Sequence, residues 1–211
     1  MDISKGSHTE HTPKNILHSV MQLFMRYGVK SITMDDIAKE LGISKKTIYN
    51  HFDDKNALVD EVVKYHIEET SNCCIQIFDT HSNPIDQLFE IGNMFMQMTK
   101  QINPCLFLDL KKQYYPAWMR ITNHKHQFIH QQIITNLQNG ISNGYYHQDI
   151  HVDITAKLYV QLIDLVIDDE LFPKDNYKYH ELQFEIIKYH LRAITTEKGK
   201  NYLNQKLAEN N

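Results

Sequence analysis

The chain has 211 residues, 42% of them hydrophobic, and a formal net charge of −4 at pH 7. Such a composition supports a packed core in one large or two small domains. It contains no apolar run approaching the roughly 20 residues of a membrane span, and its start, MDISKGSHTEHTPK, lacks the apolar stretch of a secretory signal. Cys73, Cys74 and Cys105 follow no disulfide spacing, so a reducing, cytoplasmic setting is expected. The net negative charge taken alone argues against nucleic acid, but it is unevenly placed. Residues 1–55 hold eight Lys or Arg against seven Asp or Glu, leaving 14 against 19 for the remainder.

Residues 1–11 read as a polar, loosely ordered arm. Thr12-Pro13 then opens a helix, the threonine as cap and the proline at the first helical position. Ile16, Leu17, Val20, Leu23 and Phe24 give that helix an apolar stripe, and Tyr27-Gly28 closes it. The stretch from Thr33 to Lys55, TMDDIAKELGISKKTIYNHFDDK, predicts two short helices joined by a tight turn. Thr33 and Asp36 have the spacing of a capping box, Ile37, Ala38 and Leu41 share a face, and Gly42 stands where a left-handed residue ends the helix. Ser44 caps the second helix, with Ile48 and Phe52 inward. Its outward side is Lys45, Lys46, Thr47, Tyr49, Asn50 and His51, cations and hydrogen bonders without an aliphatic residue. A helix-turn-helix needs this division, because one helix must pack inward and still offer donors to phosphates and base edges. A solvated polar face on an ordinary helix pair is the plainer reading of the same pattern.

Asp53 or Asp54 caps a fourth helix, with Leu58, Val62 and Tyr65 near one face. Asn83-Pro84 starts a helix to about Thr99, and Asn103-Pro104 breaks the chain before LFLDLKKQ. Tyr115-Pro116 starts a long helix to about Asn139, and Gly140 and Gly144 mark a turn region. A helix is expected from Asp153 to Phe172 and a last one from Tyr179 to Thr196, followed by a polar tail. No alternating strand run is present, so the fold class is all-α. The divisions expected are 1–11 as arm, 12–60 as helix-turn-helix domain, 61–200 as a second helical domain, and 201–211 as tail. Ile154 to Leu171 is apolar on more than one side, which fits either a central helix of the monomer or one shared with a second copy.

Together Leu23-Phe24, Tyr27-Gly28, Thr33 to Ala38, Leu41 to Ser44, Thr47 to Tyr49, His51-Phe52, Lys55 and Leu58 resemble the TetR family of bacterial transcriptional regulators. The resemblance implies a homodimeric, all-helical repressor of about nine helices. A palindromic DNA operator and an apolar or amphipathic small-molecule effector would be its partners. Residues 12–60 would then be the DNA-binding domain and 61–200 the effector-binding and dimerisation domain. The alternatives are a DNA-binding protein of the same fold controlled by a protein partner, and an enzyme using the C-terminal cavity. Thr33 resembles a phosphate contact, and Ser44, Lys45, Lys46 and Thr47 the groove-facing start of the recognition helix. Tyr49, His51 and Lys55 resemble backbone anchors, and Asn50 has the chemistry to pair with adenine or to face a phosphate. A four-helix bundle between subunits would use Leu158, Leu162, Leu165, Ile187 and Leu191. In NLQNGISNGYYHQD, Tyr146-His147 stands where relatives often carry arginine.

Methionines and aromatics concentrate between Asn93 and Arg120. Met94, Phe95, Met98, Phe107, Tyr114, Tyr115 and Trp118 are the candidates for an effector pocket, though such residues serve equally as core. The thirteen histidines include His126 and His130 at i, i+4 spacing near His124, and His147 and His151 at the same spacing. Neither pair brings a third ligand, so a solvent-facing stripe is the expected reading and no metal or cofactor is expected. No phosphate loop or nucleophile elbow is present, and nothing in the sequence argues for an enzyme.

Overall fold

The structure, a computed structural model, describes residues 12–209 apart from 101, 104 and 174. The expected arm, 1–11, lies outside them. The regular elements among the described residues are helices, in the order α1 (Pro13–Tyr27), α2 (Met34–Leu41), α3 (Lys45–Tyr49), α4 (Lys55–Thr80), α5 (Pro84–Thr99), α6 (Cys105–Gln113), α7 (Tyr115–His124), α8 (His130–Ser142), α9 (Val152–Leu165), α10 (Tyr179–Ile194) and α11 (Glu197–Glu209). A π-helical turn, Lys125–Ile129, joins α7 to α8 without a break, so the eleven α segments form ten rods.

Helix boundaries follow local chemistry. Thr12 caps α1 by accepting from the Asn15 amide, and Asp54 caps α4 through the Ala57 amide at 2.8 Å. Asn83 accepts from the Ile85 amide at 2.9 Å ahead of Pro84. Helix α4 is 26 residues long, roughly 39 Å at 1.5 Å per residue. It runs from the N-terminal helices deep into the rest of the chain.

Two cores form along it. The first gathers Ile16, Val20 and Phe24 of α1, Ile37 and Ala38 of α2, Ile48, Phe52, and Leu58, Val59, Val62 and Val63 of α4. It continues without interruption into Leu106 and Leu110 of α6 and Ala117 of α7. The boundary expected after residue 60 therefore falls inside one helix and inside one core. The second core joins Ile85, Leu88 and Phe89 of α5 to Ile133 and Leu137 of α8, Ala156 and Tyr159 of α9, Ile187 and Leu191 of α10, and Leu203 of α11.

Four expectations are corrected. The α9 helix stops at Leu165, not Phe172, because the Asp168 carboxylate accepts from the amides of Glu170 (2.9 Å) and Leu171 (3.1 Å) and turns the chain. Gly140 is not in a turn. It lies inside α8, where its missing side chain admits the Tyr146 ring; a Cβ built there would stand 1.9 Å from it. The turn is made at Gly144, with φ +70°. The polar run after Gly199 is helical through Glu209, held by buried Leu203 and by the Tyr202 hydroxyl, which donates to Asp86 at 2.6 Å. Finally, Ile187 and Leu191 face the interior of their own subunit, Leu191 with no exposed surface, so neither is available to a second copy.

A buried polar chain fixes the helices around that second core. The Tyr146 hydroxyl donates to Asn136 Oδ1 (3.1 Å), and Asn136 Nδ2 donates to the Pro84 carbonyl (2.8 Å) and to Gln87 Oε1 (2.9 Å). Gln87 Nε2 in turn donates to the carbonyls of His81 (2.7 Å) and Phe78 (3.2 Å). Four segments are thereby held by one satisfied network. Asn136→Ala strands Gln87 Oε1 and the Tyr146 hydroxyl away from water. The expected cost is about 2–4 kcal/mol, read as a lower urea midpoint at unchanged slope.

Candidate nucleic-acid interface and ligand cavity

The helix-turn-helix forms as its capping residues dictate. Thr33 and Asp36 close a reciprocal box: the Asp36 amide donates to Thr33 Oγ1 (3.1 Å) and the Thr33 amide donates to Asp36 Oδ2 (2.9 Å). The Thr33 hydroxyl and then its amide, both donating to Asp36 Oδ2, hold that carboxyl below its usual range. Gly42 ends α2 at φ +64°, a conformation only glycine adopts cheaply. Ser44 then caps α3 through the Thr47 amide at 3.0 Å. The regular part of α3 is five residues, but the amides of His51 and Phe52 both reach the Ile48 carbonyl at 3.0 Å. The turn thus persists to Phe52, and Ile48 and Phe52 are buried.

The outward residues differ in how free they are. Lys46, Tyr49, Asn50 and His51 are exposed, and Lys46 has no partner among the described residues. Lys45 is exposed but rests its ammonium on Asp35 at 2.8 Å, an open ion pair that a phosphate can replace at little cost. The hydroxyls of Ser44 and Thr47 bond each other at 2.8 Å, and Thr33 spends its hydroxyl proton on Asp36 at 2.6 Å. Lys55 departs most from expectation. Its ammonium turns inward and donates to the Val29 carbonyl at 2.7 Å, 5.9 Å from the Tyr114 ring centre. Burial pulls its pKa down, against the pull of Asp109 and Asp36. Its geometry is that of a clamp between α4 and the α1–α2 turn.

Behind this module lies a cavity of about 210 Å³ between α1, α4, α5, α6, the α7–α8 rod, α9 and α10. Of the seven residues expected to line a pocket, Phe95, Met98 and Phe107 do so; Met94, Tyr114, Tyr115 and Trp118 do not. On α5 the lining positions are Leu88, Ile91, Phe95, Met98 and Thr99, one stripe spaced i, i+3, i+7, i+10, i+11, and Met94 falls about 100° round the helix from Phe95. Tyr114 and Trp118 pack against the first core instead, and Tyr115 is 60% exposed. Helix α4 contributes more of the residues the sequence reading missed than any other element, among them His66, Thr70, Cys74 and Phe78. Their recurrence every four residues is the trace of one helix face. Its mixed polarity hid it.

The cavity's histidines are neutral at pH 7. Burial pushes His66 down to about 4, and burial lowers His124, whose ring accepts or donates at 3.3 Å to the Ser71 hydroxyl. Lys125 lies in the π-helical turn with its ammonium against the Asp164 carboxylate; burial lowers its pKa to about 8, so it stays charged at neutral pH. Among the described residues no three His, Cys, Asp or Glu stand close enough to hold a metal ion. None of the described helices is long and apolar enough to cross a membrane.

A depressed histidine pKa makes the unfolded chain the better proton binder between the two values. His66 therefore adds stability above pH 6.5 that is lost as pH falls towards about 4. His66→Gln should flatten the fall in urea midpoint between pH 7 and pH 5. Lys55→Ala is expected to cost about 1–2 kcal/mol of stability through the lost bond to the Val29 carbonyl. Lys46→Ala should leave the urea midpoint unchanged.

These features match known proteins. The family model described as "Bacterial regulatory proteins, tetR family" matches residues 16–62, the module just described. An uncharacterized HTH-type transcriptional regulator of Bacillus subtilis (strain 168), YvaF, is 28% identical over 187 residues, covering 87% of this chain and 96% of its own. The biofilm operon icaADBC HTH-type negative transcriptional regulator IcaR of Staphylococcus aureus (strain Newman) is 23% identical over 158 residues, 72% of this chain and 78% of its own. Among solved structures, a putative transcriptional regulator from Saccharomonospora viridis in complex with choline superposes with a TM-score of 0.71 at 19% identity, over 87% of this chain and 97% of that one. The N-terminal module thus matches the tetR family by sequence, and nearly the whole chain shares the fold of the solved regulator.

Proposed function

We propose that the protein is a transcriptional repressor that binds a palindromic operator as a homodimer and is released by a small molecule held in the cavity. The observation that carries the reading is the face of α3. Lys46, Tyr49, Asn50 and His51 are presented outward from a module whose inward side is fully packed. A helix placed this way in the major groove meets base edges with Lys46 and Asn50 and phosphates with Tyr49 and His51. Lys45 joins them once Asp35 gives way. Thr33, Ser44 and Thr47 add contacts through the amides and hydroxyls at the two helix starts. The repressor sense follows IcaR, whose name is that of a negative regulator.

Dimerisation is supported by an uncovered apolar stripe. Ile154, Leu158 and Leu165 of α9 are largely exposed, Leu158 by 60%, with half-buried Leu162 between them, and Tyr189 stands out from α10. Isolated apolar residues on a surface need no partner, but a row at helical spacing is what a second copy covers. In the dimer the two α3 helices would stand roughly 34–36 Å apart on DNA, one turn of the duplex.

Release by an effector is supported by the way α6 is mounted. Leu106 and Phe107 line the cavity, while Asp109 on the same helix accepts from the Lys30 amide at 2.9 Å in the α1–α2 turn. A ligand that favours a different position of α6 disturbs that contact; one indifferent to it changes nothing.

Two measurements test the reading. Lys46→Ala should weaken operator binding and reduce the slope of log affinity against log salt by about 0.9 per subunit if it meets a phosphate. It should change base preference at one position of each half-site if it meets a base edge. Leu158→Glu should convert the dimer to monomer in sedimentation, since it buries a charge at the centre of the stripe, and abolish operator binding with the fold intact. A wild-type chain that sediments as a monomer at micromolar concentration and binds no duplex would refute the proposal.

A further inference from the structure

The cavity's own chemistry narrows its ligand. Resting on the reading of that cavity as the effector site, we propose that it takes an uncharged, largely apolar molecule of about two fused rings, carrying one hydroxyl that bonds the Gln183 side chain.

Charge is decided by what faces the space. Lys125 is the one Asp, Glu, Lys or Arg among the described lining residues, and its ammonium is already held by Asp164 and lies 5.6 Å from the Trp118 ring centre. His66 and His124 are neutral, and burial pushes the Cys74 thiol up to about 11. A carboxylate or ammonium on the ligand would be buried without a counter-ion, which costs far more than apolar contact returns. Size follows by comparison: a roughly 150 Å³ apolar cavity holds benzene, so 210 Å³ accommodates a somewhat larger ring system or a chain of similar bulk.

The hydroxyl is placed by an unpaired group. Gln183 Nε2 donates to the Tyr179 hydroxyl at 3.2 Å, and Gln183 Oε1 is buried with no partner among the described residues. If the amide is turned the other way the orphan becomes the NH2 group. A hydroxyl is both donor and acceptor, so it satisfies either arrangement. Phe107 of α6 lies against Tyr179 with ring centres 5.0 Å apart. The polar end of the ligand therefore sits beside the helix whose Asp109 holds the α1–α2 turn.

Calorimetry on the full-length chain at pH 7.5 with four probes tests this: 1-naphthol, naphthalene, 1-naphthoate and 1-naphthylmethylammonium. 1-Naphthol is expected to bind most tightly, with both ions weaker by at least about ten-fold. Gln183→Leu should weaken 1-naphthol by about ten-fold and leave naphthalene within about two-fold. Gln183→Met, closer in shape, gives the same comparison should the leucine variant misfold. Either ion binding as well as 1-naphthol overturns the assignment of an uncharged ligand. Undiminished 1-naphthol binding by the Gln183 variants overturns the placement of the hydroxyl. If none of the four binds while operator binding is intact, the assigned ligand class is overturned. The proposed release mechanism is refuted separately, by a Phe107→Trp variant that fills the cavity and still binds operator with unchanged response to cell-extract small molecules.

Discussion

Everything in this molecule hangs on α4 being shared. A helix-turn-helix of some 50 residues cannot bury enough surface to stand firmly alone. Here Leu58, Val59, Val62 and Val63 complete the core beneath α1, α2 and α3, while later turns of the same helix wall the cavity with His66, Thr70 and Cys74. Because one rigid rod serves both, the orientation of the recognition helix and the shape of the cavity are not independent. The Arg120 guanidinium, bonded to both oxygens of Asp60 at 2.5 and 3.1 Å, pins α7 across α4 at the junction. Partly exposed, that pair adds geometry more than energy.

The second link is α6. It packs Leu106 and Leu110 into the first core, presents Phe107 to the cavity, and offers the Asp109 carboxylate to the Lys30 amide. Beside it the Asn103 amide donates to the Met25 carbonyl at 2.6 Å, and Gly28, at φ +80°, leaves room for Asp109 close by. These bonds meet at the loop between α1 and α2, whose far side is clamped by Lys55. A movement of α6 must therefore be felt where α2 begins, and α2 carries α3.

The opposite end of the molecule is built to stay still. The Tyr146–Asn136–Gln87 chain satisfies its buried polar groups completely among three helices and a turn, and close packing of Tyr146 on Gly140 leaves it no second position. This fixed framework supports the outward stripe of α9. An apolar face that rearranged freely would lose on ordering what it gained on being covered.

With α11 and the end of α9 excepted, the sequence by itself determined the helix-turn-helix and where most helices start. Those are local matters: Thr33 and Asp36 three residues apart, Gly42 at the end of a stripe, Ser44 before the next, Pro13 and Pro84 at helix starts. Each acts on neighbours within one turn, so spacing alone exposes it. It also showed where methionines and aromatics gather, and Phe95, Met98 and Phe107 do reach the cavity. Only the tertiary structure decided which face each helix turns to which neighbour. Trp118 and Tyr114 went to the first core, His66 and Gln183 to the cavity, and Leu191 inward while Leu158 stayed outside. The same holds for Lys55, whose ammonium reads in sequence as a surface cation and in space reaches Val29, 26 residues away. Apolar periodicity names a helix's buried face but not what covers it. That depends on contacts between residues far apart in the chain, which no local spacing encodes.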